Sequence, residues 1–372
     1  MEPVKFTPPL YKQRYQFVKD LVEKHKPKKV ADLGCGECSL LWQLKFCSSI
    51  EVLAGIDINE DVMKEKMHTL SPLPCEYLQP SWRPLVITLY QGSVVQKDPY
   101  LLGFDMITCI ELIEHLEAEE LAAFPDVVFG FLAPTMVVIS TPNSEFNSLL
   151  PGVKLFRHLD HKFEWNKEEF KSWASDVAVC YGYTVEFTGV GKPPPGAEDV
   201  GFCTQIGIFV RDCVETADIV TYKMATDHVY KTIFKAVYPS LQDEKYLQYA
   251  VVSEVLYQAH RIKTSLWDGI KAKENGNNQC PEKEQCCWPS GHCVTFLRNL
   301  DLREHEKLTE NRDIEPFIHG NAVCIPLEKL YLIPRVKQLC GTFAMLIKMI
   351  TGKVALTIDG SSVVVSTDDG SE

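Results

Sequence analysis

The sequence has no long apolar run and no excess of positive charge. Its longest apolar stretch, Val127 to Ile139, contains Pro134 and is too short to span a bilayer. Residues 1–9 are polar and contain prolines, without the apolar core of a signal peptide. We therefore expect no membrane association. The formal net charge of −12 argues against a broad, sequence-independent grip on nucleic acid, because such binding requires dense lysine and arginine.

Cysteine pairs with the spacing of a zinc or redox motif are scarce, although the chain has 14 cysteines. Cys35 and Cys38 have a Cys-x-x-Cys spacing, but they lie inside a glycine turn that has another explanation below. A second group of cysteines, between residues 280 and 293, lacks this spacing, so neither group favours zinc. We interpret the cysteines as reduced thiols, as expected of a cytosolic or nuclear protein.

What the sequence does contain is a compact group of potential metal ligands. Glu111, Glu114 and His115 have the i, i+3, i+4 spacing that places side chains on one face of a helix. They follow an apolar run, residues 104–110, that predicts a buried strand, and open α/β sheets bind ligands at the carboxyl ends of their strands. Two carboxylates and one imidazole directed at one point favour a divalent cation such as Mg²⁺ or Mn²⁺. The alternative is a solvated helix start, with acids near the positive end of the helix dipole.

A second group of residues predicts a site for a nucleoside-bearing cofactor. A short apolar strand leads into Asp32-x-Gly34-x-Gly36, where the glycines permit a tight turn and a close approach of the backbone to a ligand. Asp57 ends the next strand, about 20 residues past the turn, where an acid can accept both ribose hydroxyls. This ordered pair resembles the class I S-adenosylmethionine-dependent methyltransferases, whose first motif commonly reads D-x-G-C-G. In those enzymes the position of Ser93, just after a third strand, faces the adenine.

The rest of the pattern extends this resemblance to an α/β fold. We expect a Rossmann-like, doubly wound sheet whose last two strands, 184–187 and 204–210, form the antiparallel edge hairpin of class I methyltransferases. Beyond residue 211 the signal weakens, and helices are predicted over 230–237 and 247–261. The expected parts are an N-terminal segment with a helix, a methyltransferase domain, and a divergent C-terminal region with a mobile insert. They comprise residues 1–27, 28–211, 212–372 and, for the insert, 271–292.

Several short motifs then follow one another along the chain. They are Phe6-x-Pro8-Pro9, Glu111-x-x-Glu114-His115, Thr141-Pro142-Asn143-x-Glu145-Phe146-Asn147, Asp160-His161-x-Phe163-Glu164-Trp165 and Thr204-Gln205. In this order they resemble the small-RNA 3′-terminal 2′-O-methyltransferases, the Hen family, over residues 5–210. The resemblance is to the animal type, which acts on Piwi-interacting RNAs, because no double-stranded-RNA-binding domain precedes the catalytic part as it does in plant members.

The resemblance also implies which residues form the site. The residues expected to bind S-adenosylmethionine are Asp32, Gly34, Gly36, Asp57 and Ser93. The expected metal ligands, which are also the expected catalytic residues, are Glu111, Glu114, His115 and, from a loop, His161. The ion is expected to be Mg²⁺ or Mn²⁺, with Co²⁺ as a further candidate. His158 is the rival of His161 for the fourth position.

The implied reaction is methyl transfer to the 2′-hydroxyl of the 3′-terminal nucleotide of a small single-stranded RNA, presented by a Piwi or other Argonaute-class protein. Lys154, Lys162 and Lys167 are candidates for phosphate contacts. We expect a monomer in the cytoplasm, including germ-cell granules. Three alternatives remain open: a metal-dependent O-methyltransferase of catechol-type small molecules, a non-catalytic scaffold with this fold, and a protein methyltransferase, for which the sequence offers no feature.

Overall fold

The computed structural model describes residues 4–152, 156–212, 228–274 and 315–366, and its first part is built on a mixed eight-stranded sheet. The strands are β1 (Lys29–Leu33), β2 (Val52–Asp57), β3 (Val86–Gln91), β4 (Met106–Ile110), β5 (Met136–Pro142), β6 (Tyr183–Val190), β7 (Thr204–Arg211) and β8 (Lys231–Val237). Their spatial order is β6-β7-β5-β4-β1-β2-β3-β8. Strands β1 to β5 are parallel, whereas β6, β7 and β8 pair antiparallel with their neighbours. The expected doubly wound sheet with an antiparallel edge hairpin is therefore confirmed.

Helices bury both faces of this sheet. They are α1 (Leu10–His25), α2 (Ser39–Leu44), α3 (Glu60–Lys66), α4 (Pro74–Leu78), α5 (Ala118–Pro125), which continues into a π-helix (Asp126–Leu132), and α6 (Lys167–Tyr181). One apolar cluster joins Val18 and Leu41 to the sheet, and the other joins Phe124 and Phe170 to it. Because both faces are covered, the central strands are nearly continuous apolar runs, as in β4. This burial makes the sheet a rigid support for the loops at its edge.

Strand β8 corrects the prediction of a helix over residues 230–237. It pairs antiparallel with β3, with Ala236 opposite Ile87 and Phe234 opposite Leu89. Its β-branched and aromatic residues suit a strand. The free edge of β3 provides the backbone hydrogen-bonding partner that a strand requires. That partner lies far away in sequence, so local periodicity could not reveal it. The first compact unit accordingly extends over residues 1–242, past the boundary expected at 211.

The second compact unit comprises residues 243–372. Its helices are α7 (Glu244–Glu274), α8 (Leu327–Tyr331), α9 (Pro334–Cys340) and α10 (Phe343–Ile350), and its strands are β9 (Phe317–His319), β10 (Ala322–Pro326) and β11 (Ser362–Ser366). The three strands form an antiparallel sheet in the order β11-β10-β9. The helix predicted over 247–261 is confirmed as part of α7. Of the insert expected at 271–292, the first four residues end α7 and the rest lies outside the described residues. Within the described ranges, no helix combines the length and the apolar character needed to cross a membrane.

Candidate metal centre and cofactor site

Three side chains from two loops converge at the carboxyl end of β4. Glu114, His115 and His161 each offer one ligand atom, and these atoms lie within 4.8 Å of one another. Glu114 and His115 belong to a short 3₁₀ turn, Ile113–His115, and His161 comes from the loop before α6. The backbone N–H of Lys162 donates to the carbonyl of Glu114 at 2.8 Å, which joins the two loops. The structure thus brings together three of the four predicted metal ligands.

Glu114 is the buried carboxylate of this cluster. Its Oε2 accepts a hydrogen bond from the Thr141 hydroxyl at 3.1 Å, but its buried Oε1 has no partner among the described residues. Burial, and next the charge of Glu111, raise the pKa of Glu114 well above its usual range. A buried carboxylate oxygen without a partner is unfavourable. A divalent cation would satisfy it, and a carboxylate with two imidazoles is a suitable donor set. The residues present therefore fit a divalent metal ion.

The two imidazoles are arranged as metal ligands usually are. The rings of His115 and His161 lie nearly perpendicular, with centroids 4.8 Å apart. Burial, followed by the neighbouring His161 and His158, lowers the pKa of His115 and favours the neutral form that binds metals. His161 Nδ1 lies 2.6 Å from the buried Oε1 of Glu164. Such a carboxylate fixes the ring so that Nε2 is left for an ion. The rival His158 stays outside the group, with 61% of its side chain exposed.

Glu111 lies apart from the other three. Its φ of +54° turns the chain out of β4, and its backbone N–H donates to the Ser140 carbonyl at 3.1 Å. Oε1 accepts from the Ser140 hydroxyl at 2.9 Å, and Oε2 lies 3.3 Å from Arg14 Nη1 of α1. The prediction that Glu111, Glu114 and His115 share one helix face is therefore wrong. The helical turn begins only after Glu111, and the carboxylate of Glu111 pairs with a guanidinium that the local sequence could not reveal.

The glycine turn and the ribose acid lie together, as the motif order predicts. Gly34 has a φ of +74°, and a Cβ there would lie 2.7 Å from a methyl group of Leu112, so the position favours glycine. The backbone N–H of Gly36 donates to Asp57 Oδ2 at 2.8 Å, and that of Asn59 donates to Oδ1 at 2.8 Å. Asp57 therefore connects the turn to the start of α3 and stands at the edge where a ribose would bind.

The loop that carries Ser93 adjoins this acid. The N–H of Gly92 donates to the Asp57 carbonyl at 3.0 Å, which places Ser93 beside the ribose position. Ile58, directly after Asp57, leaves 71% of its surface exposed and offers an apolar face at the same edge. Our reading of the sequence did not single out Ile58. The available signal was an apolar residue immediately after the ribose acid.

Asp32 leads to a prediction about pH. It is 3% exposed and accepts a hydrogen bond from the Thr108 hydroxyl at 2.7 Å. Burial raises the pKa of Asp32 to about 7, whereas the unfolded value is about 3.9. Between these values the folded state holds a proton that the unfolded state lacks. Protonation of folded Asp32 therefore contributes about 4 kcal/mol, as an order of magnitude, to the free energy of unfolding at low pH. This contribution is lost as pH rises from about 4 to about 7.

The check is urea unfolding of the cofactor-free protein and of Asp32→Asn between pH 5 and 8. We expect the variant to lose less stability over this range, so the difference between the two proteins isolates Asp32 from other titrating groups. A cationic cofactor favours the ionised acid, so S-adenosylmethionine should bind the wild type more tightly as pH rises to about 7. Parallel stability curves for the two proteins would contradict the assignment.

The sheet order, the edge hairpin and the glycine turn beside Asp57 together define a class I S-adenosylmethionine-dependent methyltransferase. Comparisons with known proteins narrow this class. The chain is 59% identical to the small RNA 2′-O-methyltransferase of Gallus gallus over 98% of this chain and 96% of that protein. It is 48% identical to the Mus musculus protein of the same name over 97% of this chain and 90% of that protein. The chain belongs to the small RNA 2′-O-methyltransferases.

Two further comparisons agree with this membership. The crystal structure of the small RNA methyltransferase HEN1 is similar with a TM-score of 0.53 and 32% identity, over 64% of this chain and 28% of that longer chain. A family model described as the HENMT1 C-terminal domain matches residues 245–367. The matched residues lie within the second compact unit, so this part of the C-terminal region resembles a domain known from this family.

Proposed function

We propose that this methyltransferase modifies the 2′-hydroxyl of the 3′-terminal nucleotide of a small single-stranded RNA at a centre that holds one divalent ion. The observation that carries the proposal is the convergence of Glu114, His115 and His161 beside the cofactor edge, with one carboxylate oxygen of Glu114 buried and unpartnered among the described residues. A carboxylate and two imidazoles at this position suit the activation of an oxygen nucleophile better than any role in the stability of the fold.

Each group of residues has a separate task in this reaction. Glu114, His115 and His161 would hold Mg²⁺ or Mn²⁺, or alternatively Co²⁺. Glu111 would be the fourth ligand only if its carboxylate left Arg14 for the ion. An ion at such a centre supplies Lewis acidity that makes a sugar hydroxyl more acidic. Asp57 and the glycine turn would hold the cofactor, and alignment of its activated methyl group with the acceptor hydroxyl would be worth several kcal/mol. Direct activation of the hydroxyl by the ion is favoured, and the alternative is that one imidazole, His115 or His161, accepts its proton.

The terminal ribose supplies the specificity. Only the last nucleotide of an RNA has free 2′- and 3′-hydroxyls side by side, and DNA lacks the 2′-hydroxyl. A centre that recognises this pair selects the end of the chain without reading bases. We further propose that the end is presented by a Piwi or other Argonaute-class protein to a monomeric enzyme in the cytoplasm, including germ-cell granules. The net charge of −12 supports presentation by a partner, because a strongly acidic protein grips free RNA weakly.

The candidate phosphate contacts are engaged with acidic neighbours. The ammonium of Lys162 lies 2.7 Å from Glu117, and that of Lys167 lies 3.0 Å from Glu145. Lys154 lies outside the described residues. The exposed Lys162–Glu117 pair contributes little stability, so an RNA phosphate could replace its carboxylate. Lys167 is half-buried and also donates to the carbonyl of Asp199. Lys162 and Lys167 stay candidates for contacts to the nucleotides that precede the 3′ end.

Methyl transfer from labelled S-adenosylmethionine tests the proposal. We expect transfer to a short single-stranded RNA and none to the same RNA ending in a 2′-deoxynucleotide, because the acceptor oxygen is missing. Chelation of divalent ions should abolish transfer, and Mn²⁺ or Mg²⁺ should restore it. Undiminished transfer in the presence of the chelator would contradict the metal centre. Transfer to a catechol but not to RNA would replace the proposed substrate.

A further inference from the structure

The loop between β3 and β4 lies beside Asp57, the acid expected to bind the ribose, and hydrogen bonds to the end of β2 fix its first part. Gly92 donates to the carbonyl of Asp57 at 3.0 Å, and the side-chain amide of Gln91 donates to the carbonyl of Ile58 at 3.4 Å. We call residues 93–98, which follow, the Ser93 loop. Its position decides where Ser93 meets a base bound at this edge.

Tyr230, the residue before β8, contacts the Ser93 loop through its hydroxyl. Its hydroxyl donates to the carbonyl of Ser93 at 3.1 Å and to that of Gln96 at 3.0 Å. Its ring packs so closely on Gly92 that a Cβ there would lie 2.1 Å from a ring carbon. Tyr230 is 6% exposed. One buried side chain thus contacts the start and the middle of the loop, and a shift of this ring would move Ser93.

Asp98, at the end of the same loop, anchors the segment that carries Tyr230. Its Oδ2 accepts the backbone N–H groups of Val229 and Tyr230, both at 2.7 Å, and its Oδ1 accepts that of Tyr100 at 2.8 Å. His228 Nδ1 lies 3.1 Å from Oδ1. Burial raises the pKa of Asp98, but these hydrogen bonds outweigh it and lower the pKa overall. The carboxylate is therefore ionised at neutral pH, and hydrogen bonds to an ionised acceptor are strong.

We propose that Tyr230 and Asp98 form a clamp that positions the Ser93 loop for the adenine of S-adenosylmethionine. Tyr230 is a positioning residue, because it acts through the carbonyls of Ser93 and Gln96. This proposal rests on the proposed function in one respect only, which is that Ser93 is taken as the residue that contacts the adenine of S-adenosylmethionine. It gives the segment that leads into β8 a role in cofactor affinity, although this segment lies beyond residue 210, where the sequence resemblance ends.

Tyr230→Phe tests the clamp, because it removes one hydroxyl and keeps the ring on Gly92. The dissociation constant for S-adenosylmethionine, measured by titration calorimetry on the full chain without RNA, should rise about three- to tenfold. The turnover number at saturating cofactor and the KM for RNA should not change. Backbone amides of residues 93–97 should exchange with deuterium faster. Asp98→Asn, which keeps the shape of the anchor, should shift the dissociation constant in the same direction.

Tyr238→Phe is the matched control. Tyr238 is 7% exposed, and its hydroxyl donates to the carbonyl of Leu70 at 2.7 Å, outside the Ser93 loop. We expect this variant to lose stability as Tyr230→Phe does while binding the cofactor normally. Equal changes of affinity in both variants, or unchanged affinity in Tyr230→Phe, would overturn the clamp. Because the titration contains no RNA, failure of the proposed RNA methylation would leave this result interpretable.

Discussion

Glu114→Gln is expected to abolish methyl transfer and yet to stabilise the metal-free protein. Glu114 is fully buried, and its Oε1 has no partner among the described residues. The neutral amide has nearly the same shape, keeps an acceptor for the Thr141 hydroxyl and offers a donor to the neighbouring imidazoles. We expect the free energy of unfolding at pH 8 to rise by about 1–3 kcal/mol. Activity should fall more than about a hundredfold, because even residues that only orient metal ligands are worth ten- to a hundredfold.

Urea unfolding with and without Mn²⁺, together with calorimetric titration of Mn²⁺, measures both effects. The wild type should gain stability from Mn²⁺ as any protein does from a ligand of its native state, and Glu114→Gln should gain none. Glu117→Gln is the matched control, since Glu117 is in the same segment but exposed and paired with Lys162. It should bind Mn²⁺ normally and change stability by less than about 1 kcal/mol. A Glu114→Gln protein that still binds Mn²⁺ tightly, or that is less stable than the wild type without metal, would contradict this account.

Local sequence was sufficient to predict the strands and the turn that position the site. The apolar run before Glu111 predicted β4 because a strand covered on both faces has no polar side to interrupt it. The glycine turn was predictable because the positive φ at Gly34 is a conformation that glycine adopts more readily than residues with a Cβ. Glu114 and His115 were correctly placed at the end of β4, since strand ends in parallel sheets converge on one edge.

The features that the sequence could not predict depend mostly on contacts between residues far apart in the chain. Glu111 was expected beside Glu114, but Arg14, from the first helix, pairs with its carboxylate. Residues 230–237 were expected to be helical, but 231–237 form a strand on the free edge of β3. The hydrogen bond between Glu164 and His161 spans only three residues, yet it depends on a loop shape that no periodicity encodes.

Glu164→Gln is expected to weaken metal binding without removing a ligand. The side chain of Glu164 is fully buried. Its Oε1 accepts a hydrogen bond from the backbone N–H of Arg157 at 2.6 Å and lies 2.6 Å from His161 Nδ1. Its Oε2 accepts a hydrogen bond from the side-chain amide of Asn147 at 2.6 Å. These contacts engage Nδ1 of His161 and leave Nε2 for an ion. Glutamine turns one of the two acceptor oxygens into a donor, so one contact must break. We expect the affinity for Mn²⁺ to fall about ten- to a hundredfold.

Calorimetric titration of Mn²⁺ and the absorption spectrum of the Co²⁺-loaded protein measure this effect directly. The turnover number of Glu164→Gln should return close to that of the wild type once Mn²⁺ is saturating, because His161 is still present and only its orientation is less favoured. Glu168→Gln is the control, since Glu168 is exposed and pairs only loosely with Lys171 at 3.7 Å. If saturating Mn²⁺ leaves the variant slow, Glu164 acts on the reaction by another route than the orientation of His161, and the positioning role is wrong.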